Sequence, residues 1–421
     1  MAKIKRSIFK FKPFSEKQKK ILTWWLPESG VSLMEGIIAD GAIRSGKTVS
    51  MALSFVLWAM SSFTEENFAM CGKTIGSFRR NVLVVLKLML VSRGYRYKDH
   101  RVDNLLEVTR GGVTNYFYVF GGKDERSQDL IQGITLAGVF FDEVALMPES
   151  FVNQATGRCS VEGSKFWFNC NPEGPFHWFK QGWVDKIEEK QLLYQHFTMD
   201  DNLSLSEKIK ARYRSMYSGV FYKRYILGLW CVAEGLIYDM FDWTKHVLKE
   251  CTADGPYYVS CDYGTQNATV FLLWAKVGSK WVCCREYYYS GRSESAQKTD
   301  SQYADDLSKW LAGVKPVRII IDPSAASFIA ELRQRGYSIM KAKNDVLDGI
   351  RFVASLLNCE LIAVSDQCEE TIKEFASYVW DEKAVNRGED KPLKQNDHCM
   401  DAVRYFCYTK LRKSAGLTIL K

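Results

Sequence analysis

The chain has 421 residues, of which 47% are hydrophobic and 14% aromatic, and its formal net charge is +8 at pH 7. This composition excludes a disordered chain, and the length predicts two or three domains that each bury a core. The apolar stretches are too short to span a bilayer and too far from the N-terminus to form a signal peptide, so we expect a soluble protein.

The N-terminus concentrates the positive charge of the chain. Its basic residues are Lys3, Lys5, Arg6, Lys10, Lys12, Lys17, Lys19 and Lys20. A run of this kind is either a solvated arm or a contact for a polyanionic partner. The charge alone does not decide between them, because it does not show which face binds nucleic acid or whether bases are contacted.

The first motif is G-x-x-x-x-G-K-T, and its residues are Gly41, Ala42, Ile43, Arg44, Ser45, Gly46, Lys47 and Thr48. In such a loop backbone N–H groups surround a nucleotide's phosphates, Lys47 reaches the β and γ oxygens, and Thr48 binds Mg²⁺. A strand over residues 33–39 leads into the loop, and a buried helix over residues 49–60 leaves it. The order of strand, glycine loop and helix predicts that the chain binds and hydrolyses ATP.

The α/β pattern continues after this helix. We expect a helix over residues 77–91 and strands over residues 67–72, 114–120, 138–143 and 165–169. The strand over 138–143 is a continuous apolar run, which is typical of a parallel sheet covered on both faces. The first half of the chain is therefore predicted to be a P-loop α/β domain.

Two acids, Asp142 and Glu143, end the strand over residues 138–143. Adjacent acids at a strand terminus can divide two tasks: Asp142 holds Mg²⁺ directly or through water, and Glu143 polarises the water that attacks ATP. Asn171, which follows the next strand, is a candidate sensor of the γ-phosphate.

Two further residues have alternative interpretations. Gln18, together with Phe14, either clamps adenine or belongs to an ordinary helix surface. Arg44 either contacts the γ-phosphate as an internal arginine finger, or has a structural or DNA-facing role.

A helical segment over residues 213–230 precedes a change of pattern near residue 256. Three alternating strands follow, over residues 257–263, 268–276 and 281–289, and then helices alternate with strands up to a last helix over 398–413. This order is typical of a ribonuclease H-like fold. We predict a P-loop ATPase domain over residues 1–235, a linker region over residues 205–255, and a ribonuclease H-like nuclease domain over residues 256–421.

Four side chains of the second domain are candidates for one site. Asp262 lies on the first strand, Asp322 ends the fourth, and His398 and Asp401 are three residues apart at the start of the last helix. Holding two carboxylates within ~4 Å costs about 4 kcal/mol even at an effective dielectric constant of 20, and a divalent cation removes this cost. The constellation predicts a metal-dependent phosphodiester nuclease.

Each acid also has an ordinary structural explanation. Asp262 is a candidate turn former, Asp322 a strand end and Asp397 a helix N-cap. Glu286, on the third strand, is a spare candidate for metal binding.

The twelve cysteines are scattered through mostly apolar segments, Cys284 among them. This distribution is typical of reduced core thiols in a large chain. No C-x-x-C pair occurs, and none of the five histidines has zinc-site spacing to a cysteine, so structural zinc is not expected.

The motifs together resemble the large subunit of tailed-bacteriophage terminase, which combines a packaging motor with a nuclease. The matching segments are residues 41–48, 139–143, 171–172, 228–241, 262–264, 322 and 396–405, of which 228–241 and 396–405 are the most specific. The resemblance implies ATP-driven translocation of viral double-stranded DNA into a procapsid, and cleavage of concatemeric DNA with Mg²⁺ or Mn²⁺.

The resemblance also implies roles and partners. Asp262, Asp322 and Asp401 would be the metal-binding acids, and His398, where the family often has aspartate, is either a ligand or an acid–base group. The family's arginine often stands one residue before Arg44. The implied partners are double-stranded DNA, a small terminase subunit and the portal protein, in the cytoplasm of the infected bacterial host. Several copies would act together on the portal, with a monomer as the alternative in isolation.

Two rival functions fit part of the sequence. One is an ATP-dependent DNA translocase or helicase without nuclease activity, and the acids Asp262, Asp322 and Asp401 argue against it. The other is a non-catalytic assembly protein that uses nucleotide as a structural switch.

Overall fold

The computed structural model describes residues 9–249, 251, 253, 255–264, 268–290 and 297–412. Lys3, Lys5 and Arg6 of the basic run lie outside the described residues, as does the end of the predicted last helix at residue 413. The chain divides into two compact units. The first contains residues 1–212, 222–232 and 387–389, and the second contains residues 213–221, 233–386 and 390–421.

The first unit is built on an eight-stranded sheet of order β3-β4-β5-β2-β6-β7-β1-β8. Its strands are β1 (Gly36–Gly41), β2 (Asn67–Gly72), β3 (Arg96–His100), β4 (Leu105–Arg110), β5 (Val113–Gly121), β6 (Gly138–Asp142), β7 (Lys165–Asn169) and β8 (Leu192–Phe197). In this order the strands from β5 to β8 pair in parallel, and β3 and β4 form an antiparallel extension. The predicted parallel α/β domain is therefore confirmed.

Helices and short turns cover this sheet. The helices are α1 (Glu16–Thr23), α2 (Lys47–Ser62), α3 (Ile75–Phe78), α4 (Val84–Ser92), α5 (Glu149–Gly157) and α6 (Trp178–Gly182). The 3₁₀ and π turns are Pro27–Ser29, Arg79–Leu83, Glu125–Ile131, Val144–Leu146, Val184–Lys186, Met199–Asp201 and Tyr222–Ile226. The helix α2 is fixed to the sheet because Phe55 packs against the rings of Phe68, Phe117 and Trp167.

Two predictions for this part of the chain were wrong in detail. The strand predicted to start at Leu33 begins at Gly36, because Leu33 lies in a turn and is 90% exposed. The helix predicted over residues 213–230 is interrupted: α7 (Glu207–Ser215) is followed by the short α8 (Gly219–Phe221) and the π turn. Gly219 and Gly228 have positive φ angles of 52° and 73°, which a continuous right-handed helix does not accommodate.

The second unit is built on a seven-stranded sheet of order β14-β13-β10-β11-β12-β15-β9. Its strands are β9 (Val247–Leu248), β10 (Tyr258–Asp262), β11 (Ala268–Val277), β12 (Lys280–Ser290), β13 (Arg318–Ile321), β14 (Ile339–Lys341) and β15 (Ile362–Ser365). Strands β10, β11 and β12 form the predicted antiparallel meander, and β13 joins β10 in parallel. The expected neighbourhood of the Asp262 and Asp322 strands is therefore confirmed.

Besides α8 and the end of α7, the described part of the second unit contains seven helices and one π turn. They are α9 (Trp243–His246), α10 (Asp300–Leu311), α11 (Ala326–Gln334), α12 (Val346–Asn358), α13 (Glu369–Ser377), α14 (Glu382–Val385), α15 (His398–Phe406) and the turn Cys407–Leu411.

The prediction of reduced thiols was wrong for one pair, since Cys251 and Cys284 form a disulfide with a Cα–Cα distance of 5.5 Å. The two cysteines are 33 residues apart in the chain. They meet because the segment containing Cys251 packs on the apolar cluster of Ala275, Val282 and Cys284.

Candidate functional site

The phosphate loop connects β1 to α2 at the carboxyl edge of the parallel sheet of the first unit. Gly41 and Gly46 have positive φ angles of 122° and 86°. A Cβ atom on Gly41 would collide with the carbonyl oxygen of Phe197 on the adjacent strand β8. Glycine is therefore required for the loop to leave the sheet at this point.

Lys47 is buried at the start of α2. Its Nζ donates to the carbonyl oxygens of Gly41 and Ala42, at 3.1 and 2.7 Å, and to Asn171 Oδ1 at 3.3 Å. Burial lowers the pKa of Lys47 to about 8. The ammonium group is thus turned into the loop, and Asn171 lies beside it, while its role as a sensor stays a prediction.

Thr48, Asp142 and Asn169 form a network beside Lys47. The Thr48 hydroxyl donates to Asp142 Oδ1 at 2.9 Å, and Asn169 Nδ2 donates to Thr48 Oγ1 at 2.8 Å and also to Asp142 Oδ1. Burial raises the pKa of Asp142, and the hydrogen bonds from Thr48 and Asn169 oppose this. The two side chains predicted to share Mg²⁺ are therefore in direct contact.

Asn169 was missed by the sequence analysis, although it ends a predicted strand. Asn169 is paired with Asp142 across β7 and β6. This position opposite Asp142 is the feature that could have identified Asn169 as a site residue. Its Oδ1 is buried and has no hydrogen-bond partner among the described residues. An unpartnered oxygen beside a hydroxyl and a carboxylate fits the oxygen ligands that Mg²⁺ takes.

Arg44 and Glu143 share an unusual backbone conformation, with φ angles of 57° and 63°. Both side chains are exposed. Residues other than glycine rarely adopt this region, and such outliers cluster at functional sites. Asn202 Nδ2 donates to the Arg44 carbonyl oxygen at 2.6 Å, which holds the loop backbone at this residue. The catalytic roles of Arg44 and Glu143 remain predictions.

Gln18 lies at the phosphate loop and is only 6% exposed, so the alternative of an ordinary helix surface is wrong. Its Oε1 accepts from Ser15 N at 3.0 Å in a capping box, which orients the amide. Its Nε2 lies so close to Gly46 that a Cβ atom on residue 46 would collide with it. Phe14 packs against the apolar cluster around α2. A clamp on adenine stays a prediction for both residues.

The second candidate site lies in the second unit, at the end of β10 and β13. Cys261 pairs with Ile321 in parallel register, so Asp262 and Asp322 follow at the same edge. His398 Nδ1 is 2.9 Å from Asp262 Oδ2. Burial raises the pKa of Asp262, which the His398 hydrogen bond opposes and the negative charge of Asp401 reinforces. The hydrogen bond with Asp262 raises the pKa of His398.

Asp322 is held by three donors around the same edge. Ser324 N donates to Oδ1 at 2.8 Å, and Tyr405 OH and Asn344 Nδ2 donate to Oδ2 at 3.1 and 3.2 Å. Burial acts to raise the pKa of Asp322, but these hydrogen bonds outweigh it and the pKa is lowered. Tyr405 was missed by the sequence analysis, although it lies one turn after Asp401 on α15.

Asp401 faces two cationic side chains. Arg404 donates to Oδ1 at 2.7 Å, and Lys394 Nζ lies 3.4 Å from Oδ2. Lys394 also contacts Asp397 at 2.9 Å. Asp397 occupies the N-cap position of α15, but its side chain makes no capping hydrogen bond, so the N-cap interpretation was wrong for the side chain.

Two glutamates, the half-buried Glu286 and the buried Glu374, accept hydrogen bonds from the first turns of two helices. Both oxygens of Glu286 accept from the start of α13, at Glu370 N (2.8 Å) and Thr371 N (2.9 Å). Glu374, on α13, accepts from Cys399 N and Met400 N in the first turn of α15, at 2.7 and 3.1 Å. Glu286 therefore positions α13, and α13 positions the helix that carries His398 and Asp401. Both Glu286 oxygens are engaged in this capping, and metal binding by Glu286 stays a prediction.

We expect Glu374→Ala to destabilise the second unit by about 1–3 kcal/mol, because it leaves two buried N–H groups unpaired. Burial raises the pKa of Glu374 to about 7, so Glu374→Gln, which keeps an acceptor oxygen, should cost less at neutral pH. Urea unfolding measures both variants. Glu369→Ala, on the exposed side of α13, is the control. Equal midpoints for Glu374→Ala and Glu369→Ala would contradict the capping role.

The donor set at the second site suits a hard divalent cation, since it consists of three carboxylates and an imidazole. Within the described ranges, however, no three His, Cys, Asp or Glu side chains lie close enough together to hold a metal ion. The carboxylates are engaged instead by His398, Arg404, Lys394 and Tyr405. The carboxylates and the imidazole are therefore suitable ligands for the cation. To bind it, the acids and His398 have to exchange their present ion pairs and hydrogen bonds for contacts with the metal.

Among the residues that the structure describes, no helix is both long and apolar enough to cross a membrane.

Two family models match consecutive parts of the chain. Residues 38–245 match the N-terminal part of the T4-like terminase large subunit, and residues 262–407 match the terminase RNase H-like domain. The fold and the two sites thus define a protein with an N-terminal terminase ATPase domain and a C-terminal ribonuclease H-like domain, which confirms the expected fold class. The chain belongs to the terminase large subunit family.

Solved and curated relatives agree with this assignment. The large terminase of a thermophilic bacteriophage is 63% identical with a TM-score of 0.92, over 95% of this chain and all of that one. A structure of the same thermophilic-phage protein in complex with ATP-γ-S is 62% identical with a TM-score of 0.88, over 95% of this chain and 100% of that one. The large terminase subunit of Escherichia phage T5 is 26% identical over 335 residues, which are 74% of this chain and 73% of the T5 protein.

Proposed function

We propose that this protein is a DNA-packaging motor that hydrolyses ATP to translocate viral double-stranded DNA into a procapsid, and a metal-dependent endonuclease that cuts concatemeric DNA. The observation that carries the proposal is that each unit contains its own set of converging residues. The phosphate loop, Asp142 and Asn171 meet in the first unit, and Asp262, His398 and Asp322 share one sheet edge in the second.

ATP binding is supported by the loop geometry and by the ATP-γ-S complex of the thermophilic-phage relative. Lys47 and the loop N–H groups would bind the phosphates, and Gln18 would contact the adenine. Thr48 and Asp142 would hold Mg²⁺, which would neutralise phosphate charge. Glu143 would polarise water, and Arg44 and Asn171 would contact the γ-phosphate.

Nuclease activity is supported by the acids at the ends of β10 and β13. Asp262, Asp322 and Asp401 would hold Mg²⁺ or Mn²⁺, with His398 as a further ligand or as an acid–base group. The bound cation would polarise the phosphodiester and lower the pKa of water. Tyr405 and Asn344 orient Asp322 through their hydrogen bonds.

The proposal assigns the ATPase function to residues 1–235 and the nuclease function to residues 256–421. Its partners are double-stranded DNA, a small terminase subunit and the portal protein, with several copies on the portal in the cytoplasm of the infected bacterium. The basic net charge of +8 suits the DNA partner.

A translocase without nuclease activity is the second candidate. It is favoured by the ion pairs of Asp401 with Arg404 and Lys394, which occupy a proposed metal ligand. The two candidates differ in whether DNA is cut.

One assay tests both sites. Purified protein is incubated with supercoiled plasmid and Mn²⁺, with and without ATP, while phosphate release is measured. We expect plasmid cleavage and ATP hydrolysis from the wild type. Lys47→Ala should abolish phosphate release and retain cleavage with Mn²⁺ alone, whereas Lys98→Ala, a substitution at an exposed lysine, should change neither. Absence of cleavage by the wild type would favour the translocase, and absence of phosphate release would exclude the motor.

A further inference from the structure

A buried carboxylate that the proposed ATP chemistry does not use stands directly before the phosphate loop. Asp40 is 0% exposed at the end of β1. Its oxygens accept from Tyr194 OH at 2.8 Å and from Trp230 Nε1 at 2.6 Å, and His196 Nδ1 lies 2.9 Å away. A fully buried carboxylate is costly unless such partners satisfy it, so this cluster has a defined geometry.

The partners of Asp40 come from two different parts of the first unit. Tyr194 and His196 lie on β8, which is paired with β1 in the same sheet. Trp230 belongs to the strap, which we define as residues 222–232. The strap is part of the first unit, yet residues of the second unit flank it on both sides in the chain.

The strap also contacts the phosphate loop through its backbone. Ile43 N donates to the Tyr225 carbonyl oxygen at 2.9 Å. Gly228 has a φ angle of 73°, and a Cβ atom there would lie 2.7 Å from Ala42 N and 2.8 Å from Gly41 Cα. The loop and the strap therefore pack without space for any side chain at residue 228.

A third connection ties the strap to the segment that contains Asn171. The Arg224 side chain is buried, and its guanidinium donates to Glu173 Oε2 at 3.2 Å and to the Cys231 carbonyl oxygen at 2.6 Å. Cys231 N donates to the Glu173 carbonyl oxygen at 3.3 Å. The strap is thus bonded both to the loop that would bind the phosphates and to the segment that follows Asn171.

We propose that Asp40 is a positioning residue that locks the phosphate loop to the strap, so that nucleotide binding in the loop and the position of the strap depend on each other. This inference rests on the proposed ATPase function. Because a coupling free energy is reciprocal, a bound nucleotide must stabilise the strap as much as the docked strap favours nucleotide binding. The strap then reports nucleotide occupancy to the chain segments on either side of it.

Two substitutions that each remove one donor from Asp40 separate this role from a merely structural one. Trp230→Phe removes the bond to the strap, and Tyr194→Phe removes a bond within the sheet. We expect Trp230→Phe to lower kcat/KM for ATP by about ten- to a hundredfold, the range for losing a hydrogen bond to a charged group, and Tyr194→Phe to lower it less. Hydrogen exchange of a peptide covering residues 222–232 should slow on addition of ATP-γ-S in the wild type and Tyr194→Phe, but not in Trp230→Phe.

Gly228→Ala provides a second variant that leaves the Asp40 cluster unchanged in composition. Its Cβ atom would displace the strap from the loop, so it should also lose the ATP-γ-S effect on hydrogen exchange. Equal losses in Trp230→Phe and Tyr194→Phe, or a normal nucleotide response in Gly228→Ala, would overturn the proposal. A wild type without phosphate release would refute the proposed function alone, because the exchange experiment with ATP-γ-S requires no hydrolysis.

Discussion

Replacement of Glu143 by glutamine is expected to leave ATP binding intact and to lower the rate of phosphate release by about 10²- to 10⁴-fold, the range for losing a general base. Glu143 directly follows Asp142 at the end of β6. Its φ angle of 63° lies in the left-handed region, which costs conformational free energy for a residue other than glycine. Glutamine keeps the size of the side chain but accepts no proton at neutral pH. The effect should therefore fall on kcat and not on ATP affinity.

Single-turnover hydrolysis and binding of a fluorescent ATP analogue measure the two quantities separately. Glu149→Gln is the matched control, since Glu149 is an exposed acid at the start of α5 and the substitution makes the same chemical change. Unimpaired turnover in Glu143→Gln would remove Glu143 from the role of base. Loss of ATP binding instead of turnover would assign it to the binding of nucleotide.

Asp322→Asn is expected to reduce Mn²⁺-dependent plasmid cleavage by about 10³-fold or more, because a metal ligand contributes several kcal/mol to transition-state stabilisation. The amide keeps one oxygen that can accept from Ser324 N, and its NH2 group can donate to the Tyr405 hydroxyl oxygen, so the fold of this edge should persist. The reduced cleavage should result from the missing negative charge of the residue 322 side chain. ATP hydrolysis should be unchanged, because Asp322 belongs to the second unit and the phosphate loop to the first.

Asp305→Asn is the control for this variant, since Asp305 is an exposed acid on α10 that pairs with Arg335. Cleavage and phosphate release are measured on the same preparations, and circular dichroism checks the fold. Cleavage by Asp322→Asn at the wild-type rate would show that Asp322 holds no catalytic cation. Equal loss in Asp305→Asn would point to a general effect of charge on DNA binding.

The phosphate loop could be predicted because its chemistry is contiguous in the sequence. Eight consecutive residues, a preceding apolar strand and a following apolar helix define it, and the positive φ angles of Gly41 and Gly46 explain why glycine stands there. The neighbourhood of Asp262 and Asp322 was also predictable, since the order of strands implied that β10 and β13 pair. The residue roles at both sites remain predictions.

Other features depend on partners that local patterns do not reveal. Strands β3 and β4 were missed because Arg96–His100 is mostly charged and gains its structure from pairing with β4 at the sheet edge. Cys251 and Cys284 meet only through packing of the second unit. The predicted long helix before the second domain is interrupted after Ser215, and Gly219 and Gly228, which have positive φ angles, lie in the segment where it does not continue.

The amino-acid sequence by itself determined the α/β class, the phosphate loop and the set of acids, because periodicity and motif spacing are properties of neighbouring residues. Only the tertiary structure decided that Asp40 bonds Trp230, 190 residues further along, and that Glu374 caps the helix of His398. Such contacts satisfy buried polar groups, and their partners are selected by which strands and helices pack together. Burial and pairing across the fold therefore decide which distant side chains surround each candidate site, which the local pattern does not show.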